Sequence, residues 1–190
     1  MNSSAKVSIA LCISLMTTQA NAMMYSFHKV GEHEIVLDAS GRIDQGELAT
    51  LIRYEENYIP EGLTIRGISL NSHGGEINDA KEVVNYLRNA HWTTDIPMGG
   101  VCASACVMIW SSGATKSAQT PSWIGVHQSF GDYADKNGTT DATGTATMDS
   151  VLRANGAPQN VLDKEHSTPP AEVYWLSADD LRAWHVGAPA

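Results

Sequence analysis

The stretch Gly99-Gly100-Val101-Cys102-Ala103-Ser104-Ala105-Cys106-Val107-Met108-Ile109-Trp110 constrains the fold of this chain more than any other. Small residues lead into one serine and then into an apolar run, the pattern of a sharp backbone turn entering a buried helix with the serine at the turn. A helix that is apolar all round has to be covered on every side, so the remaining elements must pack about it. Ser104 itself has two readings. It is either a nucleophile presented by the turn or an N-cap whose hydroxyl accepts a backbone N–H of the helix.

The elements that could cover such a helix alternate between two periods. Residues 34–39 (Glu-Ile-Val-Leu-Asp-Ala) read as a short buried strand ending near Gly41, after which Asp44 is the expected cap of a helix carrying Leu48, Leu51 and Ile52 on one face. Residues 63–70 alternate as a strand does and run into the loop Asn71-Ser72-His73-Gly74-Gly75. A helix from Ile77 follows, with Ile77, Ala80, Val83, Val84 and Leu87 as its apolar stripe, and residues 93–98 form a third strand that delivers the chain to the Ser104 turn. Beyond it, Trp123-Ile124-Gly125-Val126-His127 reads as a strand with a histidine at its end. Residues 147–154 and 159–165 read as helices, residues 172–176 as a strand, and Ser177 with Asp180 as a capping box for a last helix. This order predicts one α/β domain with a mainly parallel sheet and right-handed crossovers.

Residues 1–22 have a short start carrying only Lys6, an apolar core too short to span a bilayer, and Ala20-Asn21-Ala22 at their end. That is the pattern of a secretory signal cleaved after Ala22, with a periplasmic or secreted mature protein. Cleavage leaves 168 of the 190 residues, enough for a single domain over residues 23–190. It also leaves 11 basic against 21 acidic residues, a net charge of −10 that argues against nucleic acid or an anionic membrane as partner. No later run reaches the roughly 18 apolar residues of a spanning helix, so no stable membrane insertion is expected.

Two cysteines survive cleavage, Cys102 and Cys106, and they bracket Ser104. In an oxidising compartment a lone pair is expected to be bridged, and a strand-to-helix turn between them can bring their Cα atoms within bonding range; the alternative is two small buried cysteines packing as apolar side chains. A metal site on these cysteines is not expected, because their neighbours supply no further ligands at a finger or ribbon spacing. The loop of residues 131–144 contains Asp135-Lys136-Asn137-Gly138, but a calcium-loop frame would put Tyr133 and Gly144 at ligand positions, so no calcium is expected there.

A serine needs a base within reach and donors aimed at the oxyanion formed when it attacks a carbonyl. His127 ends the strand after the Ser104 helix, Gly74-Gly75 can bring bare N–H groups close to a substrate, and the Ala105 N–H starts the helix. The order Leu70-Asn71-Ser72-His73-Gly74-Gly75, then Cys102-Ala103-Ser104-Ala105, then Gly125-Val126-His127-Gln128-Ser129, resembles the proteolytic subunit of the Clp proteases. Trp175-Leu176-Ser177-Ala178 resembles that family's C-terminal strand and helix.

The resemblance implies the Clp/crotonase fold, a spiral of repeated strand-strand-helix units. It also implies Ser104 as nucleophile, His127 as general base, the Gly75 and Ala105 N–H groups as oxyanion hole, extended peptides as substrates, and no cofactor. The family's orienting aspartate aligns with Val173, so the adjacent Glu172 is the candidate carboxylate, with Asp163, Asp179, a backbone carbonyl or water as further orienters. An exported chain is not expected to meet an ATP-driven unfoldase. The family forms rings, and a homo-oligomer is compatible with the resemblance. Two other functions stay open: a pseudoenzyme that captures extended peptides without cutting them, and crotonase-like chemistry on an acyl thioester that needs no nucleophilic serine.

Overall fold

The computed structural model describes residues 22–131 and 139–186. The leader through residue 21 and the Asp135-Lys136-Asn137-Gly138 motif lie outside the described residues. Eight strands are described: β1 (Met24–Lys29), β2 (Glu34–Ser40), β3 (Thr64–Asn71), β4 (Thr93–Ile96), β5 (Val101–Ala103), β6 (Lys116–Ala118), β7 (Trp123–Val126) and β8 (Tyr174–Trp175). The six helices among the described residues are α1 (Glu47–Tyr58), α2 (Ile77–Ala90), α3 (Ala105–Ser111), α4 (Ala142–Ala154), α5 (Gln159–Ser167) and α6 (Ala178–Ala183). They form a single domain with two sheets, ordered β1-β2-β3-β4-β6 and β5-β7-β8. The β2–β3, β3–β4, β4–β6 and β5–β7 pairings are parallel; β1–β2 and β7–β8 are antiparallel.

Every residue of α3 is buried. Seven residues are too few for a helix to hold itself together in water, so its stability comes from α2, α4, β4, β5 and β7, which pack around it. Val107, Met108, Ile109 and Trp110 are each at most 1% exposed, and each such burial contributes about 1.5–3 kcal/mol or more. Trp110 meets Trp184 edge to face at 5.4 Å and donates its indole N–H to the Ser117 carbonyl at 2.9 Å, which anchors the C-terminal helix to this core.

Most elements fall where the hydrophobic periods place them. On α2, Ala80, Val83, Val84 and Leu87 are buried, while Ile77 is partly exposed. The Ser177–Asp180 capping box is present. Three expectations need correction. Asp44 does not cap α1: the cap is Gly46, in a left-handed conformation with no side-chain cap bond. Asp44 instead pairs with Arg42 at 3.0 Å, and its own N–H donates to Glu47 Oε2 at 3.1 Å. Residues 101–103, read as part of a turn, form the strand β5, because the Ser72 N–H donates to the Val101 carbonyl at 2.7 Å and the Ala103 N–H to the Ser72 carbonyl at 3.0 Å. The loop read over residues 131–144 ends early, since Asp141 caps α4 by accepting the Thr143 N–H.

Cys102 and Cys106 are joined by a disulfide with Cα atoms 5.3 Å apart. The bridge closes so short a loop that it restricts the unfolded chain by about 2 kcal/mol at most. Reduction should therefore lower stability modestly, read as a small shift of the denaturation midpoint. Alkylating the unfolded, unreduced protein should leave both cysteines unmodified; two alkylated thiols would show that the bridge does not form.

Candidate active site

The two sheets meet where β3 runs out into Ser72-His73-Gly74-Gly75 and the chain of β5 turns into α3. Asn71, at the end of β3, and Ser72 each hold backbone with their side chains. Asn71 Oδ1 accepts the Val101 N–H at 3.0 Å, and Ser72 Oγ accepts the Gly74 N–H at 3.1 Å. Ile43 donates to the Gly74 carbonyl at 3.0 Å and accepts from the Glu76 N–H at 2.9 Å. In this parallel bridge the residue between those two partners points its own N–H away from Ile43, so the Gly75 N–H is left for the opposite side.

That opposite side is a cleft of about 480 Å³ whose walls include Gly75, Ser104, His127, Ser129 and Phe130. Ser104 enters it at φ 57° and ψ −130°, a conformation few non-glycine residues adopt. Such strain costs on the order of 1–3 kcal/mol and persists because both sides of the residue are held. Its N–H donates to the Gly125 carbonyl at 3.0 Å, its carbonyl accepts the Val107 N–H at 2.9 Å, and the disulfide spans it. The hydroxyl makes no cap bond to α3. The N-cap reading of Ser104 therefore fails on geometry.

A Cβ at Gly74 would lie 2.7 Å from the Ala103 carbonyl oxygen, 2.9 Å from Ser104 Cβ and 3.0 Å from the Ala105 nitrogen. The glycine loop thus rests directly on the serine turn. The Ala105 N–H opens α3, where a helix has no internal acceptor to offer, and the Gly75 N–H comes from the facing loop.

His127 is 6% exposed. Its Nδ1 lies 2.6 Å from the Gln128 carbonyl oxygen, and a ring nitrogen against a carbonyl must carry the proton, which leaves the lone pair on Nε2. Phe130 packs edge-on against the ring at 5.8 Å between centroids. Burial pushes the imidazole pKa below its ordinary 6.5, with the Gln128 carbonyl opposing that shift. The other titratable walls of the cleft are His73, Glu76 and Asp141.

The carboxylates considered as orienters lie elsewhere. Glu172 is exposed, beyond the turn in which its N–H donates to the Pro169 carbonyl at 3.0 Å. Asp163 accepts from Gln159 at 2.8 Å, and exposed Asp179 pairs with Arg182. The Nδ1 partner is the backbone carbonyl of Gln128, so of the expected orienters it is the backbone carbonyl that faces the ring, at a residue the sequence does not name. Gln128 is itself tied down: its N–H donates to the Thr168 carbonyl at 2.9 Å, its side-chain amide to the His166 carbonyl at 2.6 Å, and Thr140 Oγ1 to its side-chain oxygen at 2.9 Å.

Against this geometry the comparisons with solved structures decide the fold. A serine-to-alanine mutant of the 1510-N membrane-bound stomatin-specific protease superposes with a TM-score of 0.58 at 15% identity, over 83% of this chain and 77% of that one. ClpP1 from Listeria monocytogenes, as a mutant, superposes with a TM-score of 0.53 at 15% identity, over 78% of this chain and 86% of that one. This chain has the Clp/crotonase fold. A peptidase from Plasmodium falciparum superposes with a TM-score of 0.53 at 14% identity, over 78% of this chain and 91% of that one. The sequence matches no protein-family model and no curated protein.

Proposed function

We propose that this chain is an exported serine peptidase working through a Ser104–His127 dyad without ATP. The observation that carries the reading is the state of Ser104: a strained residue, uninvolved in capping, that shares the wall of one cleft with a buried histidine whose Nδ1 proton is already engaged. Solved structures that share the fold include a stomatin-specific protease and a peptidase, and a mutant of the former was solved with a substrate peptide.

In this mechanism an extended peptide enters between Gly75 and the Ser129-Phe130 segment. Ser104 Oγ attacks the scissile carbonyl carbon while His127 Nε2 takes the hydroxyl proton. The Gly75 and Ala105 N–H groups hold the oxyanion. Collapse breaks the C–N bond, and the proton on Nε2 passes to the leaving amine. Water, deprotonated by the same nitrogen, then attacks the acyl ester and releases Ser104. The Gln128 carbonyl keeps His127 in the required tautomer and orientation throughout, a role a carboxylate fills in Ser-His-Asp sites. Export follows from the leader pattern and suits a disulfide beside the nucleophile.

A fluorophosphonate probe should label the protein, with the adduct mapping to Ser104; an adduct at any other residue would refute the assignment. The pH profile of kcat/KM provides a further check. Burial disfavours the imidazolium, and a carbonyl supplies no negative charge to stabilise it, so the His127 pKa lies below its ordinary 6.5. The acid limb of the profile should therefore fall below 6.5, with activity lost as pH drops through the depressed pKa; a limb above 6.5 would contradict it. The carbonyl in place of a carboxylate also favours a second reading, a groove that binds extended peptides without turnover. Peptide affinity without labelling or hydrolysis between pH 5 and 9 would support that reading instead.

A further inference from the structure

Away from the cleft, α4 and α5 pack together with Glu165 between them. Glu165 has no exposure, and neither of its carboxylate oxygens has a hydrogen-bond partner. A buried carboxyl without a hydrogen bond is costly in either protonation state. His166 Nε2 stands 3.3 Å from Glu165 Oε2 and 3.3 Å from Asp149 Oδ1, and the three atoms lie within 4.8 Å of one another.

Those separations carry chemical information. Ligands about 2.0–2.1 Å from a tetrahedral zinc ion are separated from each other by about 3.3–3.4 Å, the edge of the tetrahedron. The nitrogen already stands at that spacing from both oxygens. We propose that Asp149 Oδ1, Glu165 Oε2 and His166 Nε2 form a binding site for a zinc-like divalent cation, with water as fourth ligand. The half-exposed His166 gives the cation a path in from solvent, and the buried carboxylate gives it a dry inner wall.

Arg153 supplies the outer support. Its guanidinium donates to Asp149 Oδ1 at 3.0 Å and to Oδ2 at 3.4 Å, fixing the carboxylate's plane as partners of metal ligands do. Burial, with the Asp149 charge, pushes the Glu165 carboxyl up to about 8. The site also lies one residue from the catalytic machinery. The His166 carbonyl receives the Gln128 side-chain amide, and the Gln128 carbonyl holds His127. A cation bridging α4 and α5 would brace the segment that orients the base.

The test is zinc titration of tag-free Ser104→Ala protein against a chromophoric chelator, with cobalt(II) as spectroscopic probe. No substrate is present, so the outcome is independent of the peptidase reading. The expected result is one zinc per chain, a thermal midpoint raised by zinc, and visible cobalt bands of tetrahedral intensity. His166→Ala on the surface and Asp149→Asn should each weaken binding at least about tenfold. No stoichiometric binding at micromolar zinc, or binding unchanged in both variants, would overturn the proposal and leave the three residues as an ion-pair cluster.

Discussion

Ser104→Ala is expected to abolish peptide hydrolysis while leaving the fold as stable as before. Loss of the nucleophile in a serine hydrolase removes about 10⁴–10⁶ from kcat. A capping serine would behave in the opposite way, leaving activity intact and lowering stability by about 1 kcal/mol as its helix lost a hydrogen bond. The two roles separate here because Ser104 sits at the N-cap position of α3 and yet makes no cap bond. Paired measurements of hydrolysis and thermal midpoint decide between them. A lower midpoint with retained hydrolysis would exclude Ser104 as nucleophile and point to chemistry that uses only the oxyanion donors.

Gly75→Ala should produce the second large effect, on both stability and rate. The backbone at Gly75 has φ 153°, and an added Cβ would fall 1.9 Å from the Ile43 carbonyl oxygen and 2.8 Å from its carbon. Both contacts are backbone, so no side chain can rotate away, and the bridge between Ile43 and the glycine loop must open. Strain of this kind costs about 1–3 kcal/mol, a drop in Tm of about 2–12 °C for a domain this size. The same displacement moves the Gly75 N–H away from the oxyanion, and losing one such donor costs about 10²–10³ in kcat. A variant with wild-type kcat would show that the Gly75 N–H does not contact the oxyanion.

Much of this arrangement was legible in the residues. The apolar stripe of α2, the alternation of β3 and the apolar run of α3 are periodic signals, and periodicity survives without tertiary contacts. The glycines beside the cleft were visible because a close approach leaves no room for a Cβ. The pairing of Cys102 with Cys106 was visible because a turn between them brings the cysteines together. The strands β1, β5 and β6 were missed for the converse reason. Val101–Ala103 is three residues long and holds its extended form through Ser72 and Asn71, which lie thirty residues away in the chain.

The orienter of His127 marks the limit most clearly. Side-chain chemistry points to the carboxylates Glu172, Asp163 and Asp179, and a backbone carbonyl is open beside them, but any residue at position 128 supplies that carbonyl, so the sequence does not single out Gln128. Only the anchoring of Gln128 to Thr168, His166 and Thr140 gives that carbonyl a fixed direction. Sequence alone determined the candidate chemistry, because a serine at a small-residue turn, a histidine at a strand end and a pair of glycines are choices of side chain. The tertiary structure decided that Ser104 is strained rather than capping and that a backbone carbonyl faces His127 Nδ1. It also placed Glu165 beside Asp149 and His166, because backbone conformation and burial arise only when distant segments pack.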